Sequence, residues 1–416
     1  MEAVKEKQQL QKHPAYKDSG VEWLGEVPEH WGLRRFKYLF KELNERSVDG
    51  TEDLLSVSQY TGVTRKGDKI EEGDLLTNAS SLEGYKKVQK GDLVTNIMLA
   101  WNGSLGFSPF EGITSPAYSI YRLQGNNEER FFHYLLRTDR YKAEFKRNSS
   151  GVIESRLRLY SDDFFRILSL LPPKEEQSAI ANFLDEKCGK IDTAIAQKQQ
   201  LIELLKERKQ IIIQNAVTKG LKPEVKMKDS RVEWIGEIPG HWEVKALKHI
   251  AQLESGQTIS SESFILEGYP VYGGNGFRGY AKTYTNEGEH VLIGRQGALC
   301  GNVNYASGTF FASEHAIVVY HKDDVNILWL GEAIRVADFN RLSQSAAQPG
   351  IAVNVIKNVL FPFPPPTEQA EIANNLTNQF LKFEETIDLQ EKQIEKLKEY
   401  KSSLIDAVVT GKVKVS

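Results

Sequence analysis

The sequence predicts an α+β chain built twice: two mixed α/β inserts, separated by two long antiparallel coiled-coil helices, with a pseudo-twofold internal repeat. Three observations carry this. The block KDSGVEWLGEVPEHW (Lys17–Trp31) returns as KDSRVEWIGEIPGHW (Lys228–Trp242), with eleven of fifteen residues identical. A second block, PPKEEQSAIANFL (Pro172–Leu184), returns as PPPTEQAEIANNL (Pro364–Leu376). After each second block the apolar residues alternate at spacings of four and three, the seam of a coiled coil. The first pair of blocks is offset by 211 residues and the second by 192, so the segments between them differ in length by 19. A duplicated frame carrying two dissimilar inserts suggests a two-site reader, each insert meeting its own target.

The elements follow in order. Residues 1–16 read as a polar lead-in, and residues 17–171 as the first frame block and insert. Within it, short β-like runs (LLSVSQY, GDLVTNIML, YSIYRL) alternate with Gly/Asp/Asn turns. A charged helix is expected over Glu129–Arg147, with Phe131, Tyr134, Leu135, Thr138, Tyr141 and Phe145 near helical spacing. Pro172-Pro173 breaks the chain, and residues 172–220 form the first spacer. Its long helix, Lys174–Ala216, has a seam of Leu184, Cys188, Ile191, Ile195, Lys198, Ile202, Leu205, Lys209, Ile212 and Ala216. It stops near Gly220, with Pro223 beyond.

Residues 221–363 repeat the plan as linker and second insert, with strand-like VLIGRQGALCGNV and TFFASEHAIVVYH and a helix expected over Ile327–Ser343. Residues 364–416 form the second spacer and tail. The second seam runs Leu376, Phe380, Phe383, Ile387, Gln390, Ile394, Leu397, Lys401, Leu404 and Val408. Its polar interruptions fall in the same register, Lys198 with Gln390 and Lys209 with Lys401. Polar seam residues cost stability but select register and partner. The final VTGKVKVS resembles VTKGLKPEVK after the first helix, which makes the repeat approximately circular. A helix of about 43 residues would be about 64 Å long, a ruler between two heads.

Composition narrows the functional classes. The 416 residues exceed one ordinary domain, and 40% hydrophobic with 26% charged is a globular balance. A net charge of −3 provides no global basic field. Cys188 and Cys300 stand far apart without CxxC or Cys/His spacing, so neither a disulfide framework nor a zinc site is indicated; both are expected to be buried. The N-terminal residues lack the apolar run of a signal peptide, and no stretch reaches membrane-spanning length. The expectation is a cytoplasmic protein with no membrane partner.

Together these blocks resemble the specificity (S) subunits of type I restriction–modification enzymes. The carriers are the duplicated D-S-x-V-E-W-[LI]-G-E-[VI]-P-x-H-W, the P-P-x-x-E-Q-x-x-I-A-x-x-L start of each long helix, and the glycine-rich YPVYGGNGFRGY…VLIGRQGALCGNV. The resemblance covers nearly the whole chain. It implies two target-recognition domains, each reading one half of a split, asymmetric site on double-stranded DNA. It implies helices that space the domains and dock two adenine-methyltransferase subunits, with restriction subunits in the same complex. It also implies that this chain is non-catalytic and binds no cofactor or metal. S-adenosylmethionine would belong to the methyltransferase partner and ATP with Mg to the restriction partner. No phosphate-binding G-x-x-x-x-G-K-[ST], no Pro-Pro-aromatic methyltransferase signature, and no HExxH occurs in the sequence.

DNA readers need cations for phosphates and Arg, Lys, Asn or Gln for base edges. In the first insert, Arg137–Arg158 carries seven basic and three acidic residues. Arg140, Lys142, Lys146 and Arg147 are the phosphate candidates there; the plainer alternative is a solvated helix face. Arg65, Lys66, Lys69, Lys86 and Lys87 lie in predicted loops, and Asn96 and Asn102 flank Trp101. In the second insert the candidates are Asn275, Arg278 and Tyr280 on the glycine-rich turn, Arg295 and Gln296 after a strand, and Arg341, Gln344 and Gln348. His315 alone reads more simply as a core histidine. The repeated tryptophans, Trp23, Trp31, Trp234 and Trp242, are expected to pack each insert on the coil, since a reader of different half-sites should differ between halves. The competing reading is a coiled-coil scaffold binding a non-DNA partner.

Overall fold

The computed structural model describes residues 11–69, 81–297, 299–343 and 350–415, without the side chains of Lys69 and Ser155. It divides into two compact units, one of Met1–Gln197 with Gln393–Ser416, the other of Lys198–Lys392. Each unit therefore takes one insert and a segment of both long helices. Those helices span Lys174–Lys219 and Pro366–Val409. Pro366 occupies the first helical position, where its missing N–H leaves no extra gap.

The units share a central antiparallel sheet. In the first unit, Tyr118–Leu123 pairs with Phe40–Leu43 on one side and Asp92–Asn96 on the other, and Leu105–Phe107 completes the order. In the second, Ala316–His321 lies between Ala251–Ser255 and His290–Gly294, with Val303–Ala306 outermost. The inserts that look unrelated in sequence thus have the same sheet order. Around it they diverge. The first unit adds the ladders Leu55–Ser58/Gly62–Arg65 and Lys86–Val88/Gly112–Thr114. The second builds a further four-stranded sheet from Tyr269–Gly273, Gly276–Ala281, Asn286–Glu287 and Thr309–Ala312.

Two expected helices are shorter than the sequence pattern suggested. Glu129–Arg147 is broken into Glu129–Leu135 and Asp139–Arg147. Thr138 takes an extended conformation between them, and its hydroxyl accepts from the Tyr141 N–H as an N-cap. Ile327–Ser343 stops at Val336, because Asp338 turns left-handed (φ 46°) and starts a short turn at Phe339.

Every seam position is buried or half-buried. Within the second unit, the Lys198 ammonium donates to Gln390 (3.0 Å), so two of the polar interruptions meet each other. Lys209 faces Glu384 at 3.4 Å and lies over the Phe380 ring. Within the first unit, Lys401 faces Asp192 at 2.7 Å. Asp192 and Glu384 are equivalent at the 192-residue offset, so the same cation–carboxylate pair recurs in each unit and locks one antiparallel register.

The frame blocks join insert to coil. Trp31 and Trp242 are fully buried, Trp31 among Leu184, Leu404 and Val408, and Trp242 among Ile213, Val217 and Leu376. Trp23 packs edge-on to Tyr141, and Trp234 to Phe361. Each long helix ends on a glycine with φ near +75°, Gly220 against Trp242 and Gly411 against Trp31. A Cβ there would meet the indole at 3.1 and 3.0 Å respectively, so only glycine closes the helix this tightly. Both cysteines are free and buried. No described helix is long and apolar enough to cross a membrane.

Candidate nucleic-acid interface

The repeated Glu-Gln of the second block ties each insert to the start of its long helix. Glu176 receives His30 at 2.7 Å, and Glu368 receives His241 at 2.8 Å and the Trp242 indole N–H at 2.9 Å. Gln177 and Gln369 are fully buried. Each amide donates to the carbonyl of the first proline of its motif, Pro172 or Pro364. Each amide oxygen accepts a backbone N–H at the start of the insert's helix, Glu128 in one unit and Asn326 in the other. The helix after the central sheet is thereby pinned to the coil in both units.

In the second unit, four polar residues weighed from the sequence converge. Asn275, Arg278, Gln296 and His315 line one cleft of about 390 Å³ with Phe277 and Leu299. The turn between the strands depends on Gly276 at φ 92°, and a side chain on Gly273 would collide with Arg278. Phe277 and Leu299 are over half exposed at the rim, and Tyr280 stands edge-on to Phe277. Asn275 accepts from the Asn302 amide (2.7 Å), and Gln296 contacts His315 Nδ1 (3.2 Å). His315 is not a core residue: its other nitrogen faces Glu314 at 3.2 Å and its side chain is 39% exposed. Sequence alone could not place it, because the β-bridge and turns that aim it at the glycine loop are long-range. Among the described residues, Arg278, Arg295 and Arg341 have no carboxylate partner. Gln344 and Gln348 lie outside the described residues. The cleft thus offers an amide, a guanidinium, an imidazole and exposed apolar groups, the chemistry that reads base edges and thymine methyls.

The first unit differs. Lys86 is buried, its ammonium donating to the Tyr118 carbonyl (2.7 Å) and its pKa lowered by that burial, so it does not extend from the surface as expected. Asn96 is also buried, its amide oxygen closing a turn onto the Met98 N–H. Asn102 is spent on Ser104, both backbone and hydroxyl. Arg140 donates to the Trp23 carbonyl (3.0 Å) and faces Asp406, tying the frame block to the second helix. Lys142 faces Asp139, Arg147 faces Glu144, and Lys146 pairs with Glu154 above the Trp101 ring. Arg65 pairs with Asp53 and Lys87 with Glu45. Lys66 is half-buried, and the side chain of Lys69 lies outside the described residues. The local basic excess is therefore largely neutralised within the unit. Exposed ion pairs are weak, about 0–1 kcal/mol, so phosphates can displace the carboxylates.

A larger cleft of about 990 Å³ opens in the first unit between insert and coil. Asp139, Asp185, Asp192 and Asp406 line it beside Arg137, Lys142, Lys398 and Lys401. Four carboxylates against four cations leave no net positive charge to attract a nucleic-acid backbone. His133 on its wall is held at about 4 by burial and then by Arg137, so it is neutral at pH 7.

Comparison with known proteins gives one answer. Residues 239–399 match the type I restriction modification DNA specificity domain. The chain is 42% identical over 137 residues to the specificity subunit of the EcoprrI type I restriction enzyme of Escherichia coli, a match spanning 31% of this chain and 33% of that protein. It is 23% identical over 432 residues to the putative MjaX specificity subunit of Methanocaldococcus jannaschii, covering 94% of this chain and 96% of the relative. Among solved structures, a chain from work on assembly and conformational transition of the type I R-M system superposes with a TM-score of 0.70 at 17% identity, over 92% of this chain and 98% of the other. The HsdS subunit of Thermoanaerobacter tengcongensis gives 0.53 at 17% identity, over 93% and 98%. The structural likeness establishes the α+β fold, and the sequence matches supply the family. With its duplicated frame blocks and helix starts, the chain belongs to the specificity subunits of type I restriction–modification systems.

Proposed function

We propose that this chain is the non-catalytic DNA reader of a type I restriction–modification complex. Each insert is a target-recognition domain for one half of a split, asymmetric site on double-stranded DNA. The long helices, about 69 and 66 Å at the standard rise of about 1.5 Å per residue, set the spacing between half-sites. They also dock two adenine-methyltransferase subunits and the restriction subunits. S-adenosylmethionine would be held by the methyltransferase partner, and ATP with Mg by the restriction partner. The observation that carries this reading is one sheet order used twice beneath different surfaces. Selection for a shared scaffold would preserve the sheet, while two different half-sites would require different loops.

In the second insert the readers are Asn275, Arg278, Gln296 and His315, with Tyr280, Arg295 and Arg341 around them. In the first insert Arg65, Lys87, Lys142, Lys146 and Arg147 serve phosphates after exchanging their internal carboxylates, and Lys66 joins them. Because these cations start paired, the methyltransferase subunits supply much of the backbone grip.

The test is methylated-adenine mapping by single-molecule sequencing. The host lacks other adenine methylation and expresses this chain with a cognate methyltransferase. A split motif with a fixed gap, absent when this chain is omitted, is expected. An active methyltransferase bound to this chain yet leaving no split motif would refute the reading.

A further inference from the structure

The two frame blocks differ at one point of chemistry. In the second unit, His241 and the Trp242 indole N–H together satisfy Glu368. In the first unit the Trp31 indole N–H makes no hydrogen bond among the described residues, and a second histidine approaches the carboxylate instead. That residue is His13, whose side chain is 2% exposed and whose Nε2 lies 3.7 Å from Glu176 Oε1, beyond hydrogen-bonding distance. His30 Nε2 is 2.7 Å from Glu176 Oε2. One ligand atom from each of His13, His30 and Glu176 lies within 4.8 Å of the others.

From this geometry we infer a structural site for a divalent transition cation of the zinc type, held by His13 Nε2, His30 Nε2 and a Glu176 carboxylate oxygen. Tetrahedral zinc with ligands at about 2.0–2.1 Å separates its donor atoms by roughly 3.4 Å. The observed separations bracket that value, so small side-chain rotations would close the set around an ion. A half-exposed His30 leaves room on the solvent side for a water as fourth ligand. An unpartnered nitrogen buried beside a carboxylate is costly without an ion.

The groups facing the site agree with this with one exception. Burial lowers the pKa of His13; Glu176 opposes the shift, and His30 and Lys414 add to it. Among the described residues, Lys414 is a cation that acts against a bound ion. The ring is held by packing against Trp31 (5.8 Å between centroids) and by the backbone N–H of His13, which donates to the Tyr16 hydroxyl (3.1 Å). An ion here would tie three segments together: residues around His13, the frame block, and the first turn of the long helix. Gln11 also pairs with Lys414, so the clamp reaches the residues after the second helix. At the 211-residue offset, Glu224 stands where His13 does, so the second unit lacks the third ligand and serves as an internal control.

The experiment is equilibrium dialysis of the full-length, tag-free chain against zinc, followed by metal analysis, with cobalt as a spectroscopic substitute. One zinc per chain is expected, with visible cobalt d–d absorption showing nitrogen–oxygen tetrahedral coordination. His13→Asn and Glu176→Gln should each weaken binding by more than about tenfold, whereas His241→Asn should leave it unchanged. Circular dichroism confirms that each variant is folded, and Glu176→Gln, a near-isosteric change, covers the case in which His13→Asn does not fold. No retained zinc, or zinc retained equally by folded His13→Asn or Glu176→Gln, overturns the site.

Discussion

Replacing Gln369 by alanine tests whether the duplicated motif works as a staple. The Gln369 side chain is fully buried, accepting the Asn326 N–H at 2.8 Å and donating to the Pro364 carbonyl at 2.9 Å. Asn326 in turn caps the helix Ile327–Val336 through the N–H groups of Leu328 and Trp329. Truncation leaves one buried donor and one buried acceptor without partners, each costing about 1–3 kcal/mol. Partial repair by water entering the vacated space brings the expected loss to about 3 kcal/mol. With a urea slope of about 2–3 kcal/mol/M, the midpoint for the second unit should fall by roughly 1 M. The assay is urea unfolding of the full chain followed by tryptophan fluorescence and far-UV circular dichroism, since two units can give two transitions. Gln369→Glu should do no better, because it restores the acceptor but sets a second acceptor against the Pro364 carbonyl. Asn374→Ala, an exposed change on the same helix, should stay within about 0.5 kcal/mol. A Gln369→Ala midpoint indistinguishable from that of Asn374→Ala would refute the staple.

Three further outcomes are expected. Arg278→Ala or Gln296→Ala should relax the methylated motif at one half-site only, at a cost of about 1–3 kcal/mol for each bidentate pairing with a base that the substitution removes; relaxation in both halves, or in neither, would exclude the cleft as a reader. His133 is held at about 4, first by burial and then by Arg137, against 6.5 unfolded. The unfolded chain therefore takes up the proton first, so this stability is complete above pH 6.5 and is lost as pH falls from 6.5 toward 4, by up to about 1.4 kcal/mol per pH unit. Urea midpoints measured across that range should flatten in His133→Gln relative to the parent chain. Finally, a heptad inserted into both long helices lengthens each by roughly 10 Å, about three base pairs at about 3.4 Å; an unchanged gap in an active complex would contradict the spacer role.

The duplicated blocks, the coil seams and the family are legible in the sequence because they rest on short-range, repeated chemistry. A 4-3 alternation needs only the helical period, and KDSxVEW…HW announces itself by recurrence. The Glu-Gln staple could be read only as a motif, since its partners, Asn127, Glu128 and Asn326, lie more than 40 residues away. Helix ends at Thr138 and Asp338 are not legible in the spacing, because a single capping hydroxyl or one left-handed residue outweighs helical periodicity.

The architecture is written in the order of the residues: two copies of one frame and two heptad helices with matching polar interruptions. Periodicity and repetition survive without coordinates because every turn of a helix obeys the same geometry. Which polar residues face outward depends on the folded chain. It turned Lys86 and Asn96 inward, paired Lys142, Lys146 and Arg147 with carboxylates, and brought Asn275, Arg278, Gln296 and His315 to one cleft. It also revealed one sheet order beneath two dissimilar inserts. Strand pairing joins residues far apart in the chain, and a side chain's partners depend on that pairing rather than on its neighbours in sequence.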